Sequence, residues 1–324
     1  MVLLLSSPVY GGGVPKERRG DRSFIDRMIC ASTAAMKPAR HAHRPAPKPR
    51  RQAAPKDALA DLWPGQSIAL LKALHILTRD GALNADSRRK LKQVLHLAQL
   101  IRPALDQAFA DNADPVLADL GAGKSYLGFV LYDLFFAKRE HGRVYAVEAR
   151  DDLIATARTI AKDSGFARME FLHSPIREAK LPDAVLHKGR VDVVTALHAC
   201  DTATDEAIVF ALAHDAKFIA LVPCCQAELA RELEHVKKPL RQLWRHPIQR
   251  REFGSHLTNV LRGLFLEAHG YKVRVTELTG LEHSLKNEFI FAERHQRANP
   301  AARAEFLALA EQTGAAPSLL NFAD

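Results

Sequence analysis

The chain has 324 residues, of which 47% are hydrophobic and 26% are charged. It is long and apolar enough to bury the core of one large domain or two small ones. Its formal net charge of +9 is uneven: residues 1–56 carry 12 Lys and Arg against three Asp and Glu, whereas residues 57–324 carry 34 of each sign. The basic character therefore belongs to the first 56 residues and gives no argument for nucleic-acid binding by the rest.

The cysteine content and the hydropathy indicate a soluble protein of a reducing compartment. The four cysteines, Cys30, Cys200, Cys224 and Cys225, show no disulfide spacing, which favours the cytoplasm. No stretch reaches the roughly 18 apolar residues that a membrane span needs. Disulfide-stapled secreted domains and membrane proteins are therefore excluded from the expected classes.

Residues 1–56 alternate Gly, Pro, Arg and Lys. Such a segment buries too little apolar surface to offset the entropy of ordering it. We expect a disordered basic tail, which is either an electrostatic arm for RNA or a solvated segment without a specific role. Met28 and Met36 precede the body, so residues 1–35 could also stem from an over-long assigned start.

Residues 57–113 show helical periodicity. One apolar face contains Leu70, Leu71, Leu74 and Leu77, and a second contains Leu91, Val94, Leu95, Ala98 and Ile101. Pro103 is predicted to lie near the end of the second helix. The pattern indicates a cap of two to three helices ahead of the main fold.

From residue 114 to residue 293, short apolar runs alternate with helical stretches, which is typical of a parallel sheet covered on both faces. The last two strands follow each other without a helix, which predicts a reversed hairpin at the edge. We expect an α/β fold with a doubly wound, seven-stranded, mostly parallel Rossmann-like sheet, followed by a helical extension over 294–324. The predicted strands are 116–120, 143–148, 169–173, 191–197, 218–222, 272–277 and 288–292, and the predicted helices between and after them are 125–139, 152–164, 205–213 and 255–269.

A glycine loop follows the first strand in Leu117-Ala118-Asp119-Leu120-Gly121-Ala122-Gly123-Lys124-Ser125. The glycines permit a tight strand-to-helix turn and a close ligand approach, and the second strand ends in a carboxylate that can accept both ribose hydroxyls of an adenosine. A phosphate loop would need glycine at 118 and a dinucleotide fingerprint glycine at 126, where Ala118 and Tyr126 stand. The loop and the acid resemble those of class I AdoMet-dependent methyltransferases. This resemblance implies S-adenosyl-L-methionine (AdoMet) as the ligand, and the predicted cofactor-binding residues are Asp119, Gly121, Gly123, Glu148, Ser174 and Leu197.

The residues after the fourth and fifth strands carry a finer resemblance. Leu197-His198-Ala199-Cys200 with Thr204-Asp205, and the later Cys224-Cys225, resemble the eukaryotic tRNA acceptor-stem 2′-O-methyltransferases and a broader group of methyltransferase-domain proteins. In that broader group a His-x-x-x-Asn element recurs, as in His283 to Asn287 here. The resemblance covers about residues 85–293 and implies a class I AdoMet-dependent methyltransferase. Zinc-finger modules of the tRNA enzymes are lacking, so their substrate is not transferred.

Four interpretations remain open for these strand ends. The loops could serve packing and capping, with Asp201 or Thr204 capping the next helix. They could form a polar wall with His198 as proton acceptor. Cys200 or Cys224 could be a nucleophile for C5 methylation of cytosine, or one His and three Cys could bind zinc, although adjacent cysteines point to opposite sides of an extended chain. We expect no metal, and the predicted catalytic residues are His198, Cys200 and Asp201.

Residues 237–251, called the basic segment below, contain six Lys and Arg, one Trp and no acid. Lys and Arg can hold phosphates while a Trp stacks on a base; alternatively the segment is solvated and balanced by acids elsewhere. The predicted substrate-binding residues are Lys237, Lys238, Arg241, Trp244, Arg245 and Asn287. We expect methylation of an RNA, either tRNA or rRNA, with a small-molecule or protein methyltransferase and a catalytically silent AdoMet-binding module as alternatives.

Overall fold

The computed structural model describes residues 62–197, 199–223, 226–237, 239–278 and 288–322. They all lie within one unit, Arg51–Asp324. The predicted basic tail at 1–56 lies outside the described residues. Among the described helices, none is long and apolar enough to cross a membrane.

Within the described part of the cap there are two helices. Helix α1 spans Ile68–Ala73 and helix α2 spans Ala85–Asp111. Side chains cap both, because the Ser67 hydroxyl accepts from the Leu70 N–H at 3.2 Å and the Asn84 side chain accepts from the Ser87 N–H at 2.8 Å. The expected end of α2 near Pro103 is wrong: the proline lies on the exposed side, and the buried residues beyond it keep the helix packed to its last turn.

Seven strands form one sheet in the order β3-β2-β1-β4-β5-β7-β6. Strand β7 is antiparallel to both of its neighbours, and the other neighbouring pairs are parallel. The predicted doubly wound, mostly parallel fold with its final hairpin is confirmed. The strands are β1 Val116–Leu120, β2 Arg143–Glu148, β3 Met169–His173, β4 Val193–Leu197, β5 Phe218–Val222, β6 Tyr271–Glu277 and β7 Glu288–Arg294.

Helices cover both faces of the sheet. Successive strand residues point to opposite faces, so Leu117 and Val144 belong to one apolar core, shared with the cap, whereas Ala118 and Tyr145 belong to the other. Both cores are continuous over several elements, as a two-sided sheet requires. Beyond the cap, the helices are α3 Tyr126–Leu131, α4 Asp151–Asp163, α5 Ala203–Ala213, α6 Glu228–Glu232, α7 Pro247–Ala268 and α8 Pro300–Thr313.

Two helices differ from their predicted extents. Helix α3 continues as a π-helical turn over Tyr132–Phe136, whose Asp133 accepts from the Ser67 N–H at 2.8 Å and thereby ties the domain to the cap. Helix α7 starts at Pro247 rather than near Ser255. Proline lacks an N–H group, and in the first helical turn this group would have no partner within the helix, so a proline can begin the helix. Short 3₁₀ turns occur at Ile176–Glu178, Asp183–Val185, Pro239–Trp244 and Ser318–Phe322.

Candidate active site

The glycine loop after β1 is a tight left-handed turn. Gly121, Gly123 and Ser125 have φ values of 62°, 58° and 53°, a region that glycine enters without steric cost. The Ala122 N–H donates to the Val147 carbonyl at 2.9 Å and fixes the loop to β2. The two glycines therefore stand where the backbone requires them, at the carboxyl end of the sheet.

Asp119, in β1, is buried beneath this loop with 1% of its surface exposed. It accepts from the Thr195 hydroxyl of β4 at 2.8 Å, and the Ser125 hydroxyl lies 3.5 Å from its second oxygen. Burial raises the pKa of Asp119 to about 6, although hydrogen bonds from Thr195, Gly128 and Ser125 oppose the shift. The carboxyl thus joins β1, β4 and the loop, and it changes charge close to neutral pH.

Gly128 in α3 makes room for this carboxyl group. A Cβ atom at Gly128 would lie 2.6 Å from the Ser125 hydroxyl oxygen and 2.9 Å from a carboxyl oxygen of Asp119. Both distances are shorter than real Cβ contacts, so any larger side chain would displace the carboxyl. Gly128 was not predicted from the sequence, because its spacing from Gly123 fits none of the familiar glycine fingerprints.

Glu148 at the end of β2 lies next to the glycine loop. One of its oxygens accepts from the Gly123 N–H at 2.7 Å, and the other accepts from the backbone N–H and the guanidinium of Arg150, both at 3.0 Å. Burial raises the pKa of Glu148, but these hydrogen bonds outweigh burial and hold it below its ordinary value. The carboxylate is therefore ionised at neutral pH and oriented toward the loop.

A cavity of about 400 Å³ opens above the loop and is called the cofactor cavity. Four of the six predicted cofactor residues line it: Asp119, Gly121, Gly123 and Leu197. Glu148 borders it through its bond to Gly123. Ser174 does not line it, and its hydroxyl donates to the neighbouring Pro175 carbonyl at 2.9 Å.

The cap closes the opposite side of the cofactor cavity. Ile76 lines it from the connection between α1 and α2, and Lys90, Gln93 and Val94 line it from α2. None of these residues was predicted at the site, since the helical periodicity of the cap shows only which face is buried. The cavity is therefore enclosed jointly by the sheet edge and the cap.

Asp201, after β4, holds two loops together. Its carboxylate accepts from the N–H groups of Ala227 and Glu228 at 2.8 and 2.9 Å and pairs with Arg231 at 3.0 Å. Burial raises the pKa of Asp201, but these partners outweigh burial and lower it overall. It caps α6, not the next helix α5, so the capping prediction named the wrong helix, while Thr204 bonds to the Ala199 carbonyl.

The remaining strand-end residues are only partly described. Cys200 is exposed after β4, at the same loop as Asp201. His198, Cys224, Cys225, Lys238 and Asn287 lie outside the described residues. Among the residues that are described, no group of three or more His, Cys, Asp or Glu could hold a metal ion.

A buried polar network supports these loops from behind. Arg262 in α7 is fully buried, pairs with Asp205 through two nitrogens at 2.7 and 2.9 Å, and donates to the Asp201 carbonyl at 2.7 Å. Asn259 donates to Glu288 at 2.6 Å and accepts from Gln226 at 3.3 Å. Helix α7 thereby connects the loops after β4 and β5 with the start of β7.

The basic segment is a 3₁₀ turn followed by the first turns of α7. Trp244 is only 1% exposed and stacks on Phe253, with ring centroids 5.1 Å apart. The prediction that Trp244 stacks on a substrate base is therefore wrong: the ring belongs to the core. Lys237, Arg241 and Arg245 are exposed, and no acid among the described residues pairs with them.

The fold and the cavity together define the class of the protein. A sheet with this strand order, a glycine loop and an acid at the end of β2 accommodate an adenosine ligand at the carboxyl edge. Residues 89–232, somewhat under half of the chain, match the family model described as "Methyltransferase domain". The protein is an AdoMet-dependent methyltransferase.

Several solved structures are similar at low identity. A putative O-methyltransferase from Klebsiella pneumoniae is 14% identical with a TM-score of 0.44, covering 76% of this chain and 97% of its own. The SAH-bound Podospora anserina methyltransferase PaMTH1 is 14% identical with a TM-score of 0.41, covering 70% and 88%. An rRNA methylase from Streptococcus thermophilus is 10% identical with a TM-score of 0.38, covering 63% and 94%. No curated protein matches the chain.

Proposed function

We propose that the enzyme methylates RNA, tRNA or rRNA, in the cytoplasm. The observation that carries this proposal is the set of exposed basic side chains in the basic segment, namely Lys237, Arg241 and Arg245. The other two arginines of the segment are neutralised, since Arg250 pairs with Glu234 at 3.2 Å and Arg251 with Glu252 at 2.9 Å. Basic side chains without an acidic partner, on a body without net charge, are suited to binding phosphate groups.

The contacts of α7 support a place for these basic side chains near the carboxyl edge of the sheet, where we propose that methyl transfer takes place. Asn259 contacts Glu288, the first residue of β7, and Arg262 contacts Asp205 in the first turn of α5. Both partners lie at the carboxyl edge of the sheet. The part of α7 before Asn259, Pro247 to Thr258, is about 18 Å long at 1.5 Å per residue and leads from the basic segment to that edge. A polyanion bound to the basic segment would lie near the carboxyl edge of the sheet, on the face that α7 covers.

The chemistry requires alignment more than activation. A methyl group passes from the sulfonium sulfur to an acceptor atom, the sulfur leaves with the bonding electron pair, and the acceptor's proton passes to a base or to water. We propose that His198, with Cys200 and Asp201 beside it, forms the polar wall that orients the acceptor and receives this proton. Asn287 is proposed to contact the substrate from the segment before β7.

A protein acceptor is the second candidate, and a different observation favours it. Leu240, Leu243 and Ile248 of the basic segment are 42%, 51% and 56% exposed. Apolar side chains grouped on a surface are typical of a protein-binding patch. The same surface would then bind a peptide rather than a phosphate backbone.

Radiolabelled methyl transfer distinguishes the candidates. The protein is incubated with methyl-labelled AdoMet and total RNA, a protein extract or a small-molecule extract, and label is counted in each fraction. We expect label in RNA, reduced at least about 10-fold in the triple variant Lys237→Ala, Arg241→Ala, Arg245→Ala, since about two to three phosphate contacts are lost. The control replaces the exposed Lys162, Lys180 and Lys272 by Ala. Label in protein alone would overturn the RNA proposal.

A further inference from the structure

A second cavity lies in the cap and is called the cap cavity. It has a volume of about 380 Å³ and is lined by three basic side chains, Lys72, His75 and Arg79, together with Asn84 and Ser87 from the start of α2. None of the described side chains lining it is a carboxylate. Neither the methyltransferase fold nor the basic segment assigns a role to this cavity.

No acid among the described side chains pairs with the basic residues of the cap cavity. Within the part of the chain that the structure describes, no ion pair involves Lys72, His75 or Arg79. Lys72 closes the last turn of α1, and His75 follows it in a left-handed backbone conformation with φ of 55°. Two cationic side chains and one imidazole therefore line the same recess, and the two cations give it positive potential.

Helix α2 adds its N-terminus to the same recess. This helix has 27 residues, and the partial positive charge at its first turn favours anions. Ser87 in that turn is buried to 8% exposure. Its N–H is satisfied by Asn84 at 2.8 Å, but its hydroxyl makes no hydrogen bond to any described residue. The hydroxyl opens onto the cap cavity, where it can donate to an anion.

We propose that the cap cavity is a phosphate-binding site and that it takes a phosphate of the RNA substrate. The site is adjacent to the cofactor: His75 and Leu77 line the cap cavity, whereas Ile76 between them lines the cofactor cavity. Along α2, likewise, Ser87 faces one cavity and Lys90 the other. A phosphate held here positions the RNA against the wall that encloses AdoMet. The RNA part of this inference rests on the proposed function.

The test compares the double variant Lys72→Ala, Arg79→Ala with the control Lys162→Ala, Lys180→Ala, in which two exposed lysines far along the chain are removed. The probe is a fluorescein-labelled RNA hairpin, titrated at several salt concentrations. We expect the cap variant to bind the hairpin about 10-fold more weakly, with a salt slope smaller by about 1 to 2, because each lost phosphate contact removes roughly 0.7 to 0.9. Ser87→Ala, which preserves the helix, should weaken binding by about 3-fold, within the effect of one hydrogen bond.

Inorganic phosphate provides the second arm, measured by calorimetry on the wild type and the cap variant. Phosphate binding that is lost in the cap variant, with unchanged hairpin affinity, would show that the site takes free phosphate and overturn its role in RNA binding. Unchanged affinity for both probes would overturn the site itself. If the wild type binds no hairpin, the proposed function fails and the phosphate arm alone decides the site. AdoMet affinity, equal in all variants, confirms that each is folded.

Discussion

At the residue level, we predict that the buried carboxyl of Asp119 couples cofactor binding to pH. Burial raises its pKa to about 6, and AdoMet carries a sulfonium and an ammonium group. Below pH 6 the Asp119 carboxyl is protonated and neutral. It must lose this proton before its carboxylate can attract the cationic groups of AdoMet. Affinity for AdoMet is therefore expected to rise with pH until about 6 and to level off above it, with a slope of at most about 10-fold per pH unit.

The measurement is calorimetry with AdoMet on both sides of pH 6, in wild type and Asp119→Asn. The variant should bind more weakly and with little pH dependence in this range. Glu148 does not interfere, because its pKa is lowered below the ordinary value. An equally steep pH dependence in Asp119→Asn would assign the titration to another group.

Glu148 is the residue on which the adenosine assignment depends. Its carboxylate is ionised and borders the cofactor cavity through the Gly123 N–H. Glu148→Ala should weaken AdoMet binding by about 10-fold or more, since charge-assisted hydrogen bonds to the ribose hydroxyls are lost. The control is Glu178→Ala, an exposed acid after β3. Calorimetry showing unchanged affinity in Glu148→Ala would contradict the assignment.

Substitutions at the strand ends separate the mechanisms that the sequence leaves open. If the cysteines only shape a pocket, Cys200→Ser and Cys224→Ser should each retain measurable turnover, because alignment supplies most of the rate. A covalent nucleophile would lose methyl transfer on the same change, and zinc would appear as metal in the purified protein. His198→Ala should be the more damaging variant. Full activity in His198→Ala beside an inactive Cys200→Ser would favour the covalent route.

At the level of elements, α7 stabilises the loops that carry the predicted catalytic residues. The pair of Arg262 with Asp205 is buried, with side-chain exposures of 0% and 6%. Arg262→Met should lower the free energy of unfolding by about 3–5 kcal/mol, because it leaves a buried carboxylate without its partner. Urea denaturation measures the change. The double variant Arg262→Met, Asp205→Leu should recover most of the loss, and a double variant less stable than the single one would disprove this explanation.

The sheet was predictable from sequence because its signals are local. Short apolar runs separated by helical stretches indicated all seven strands, and the glycine loop with its acid in the next strand indicated where a ligand lies. The burial of Trp244 was not predictable, since it depends on Phe253 across a turn. The lining of the cofactor cavity by Gln93 and Val94 depends on how the cap packs, which helical periodicity does not specify.

At the level of the whole molecule, charge is divided between a basic tail and a body that is neutral overall. Residues 1–56 carry the entire net charge of +9. Basic side chains of the body nevertheless lie together in the basic segment and in the cap cavity. RNA binding by the body should therefore depend on these two surfaces, with the tail adding attraction that is not specific for sequence.

Deletion of residues 1–56 tests this division. Because residues 70 to 319 already supply an extensive buried core among the described residues, the truncated protein should keep its unfolding transition and its affinity for AdoMet. Its affinity for the RNA hairpin should fall, and the salt dependence should flatten, since fewer counterions are released when the tail is absent. The flattening should exceed that caused by the cap variant, because the tail carries 12 basic residues. Circular dichroism, calorimetry and the hairpin titration measure the three quantities. An unfolded product would show that the tail belongs to the folded body, and an unchanged salt slope would show that the tail does not contact RNA.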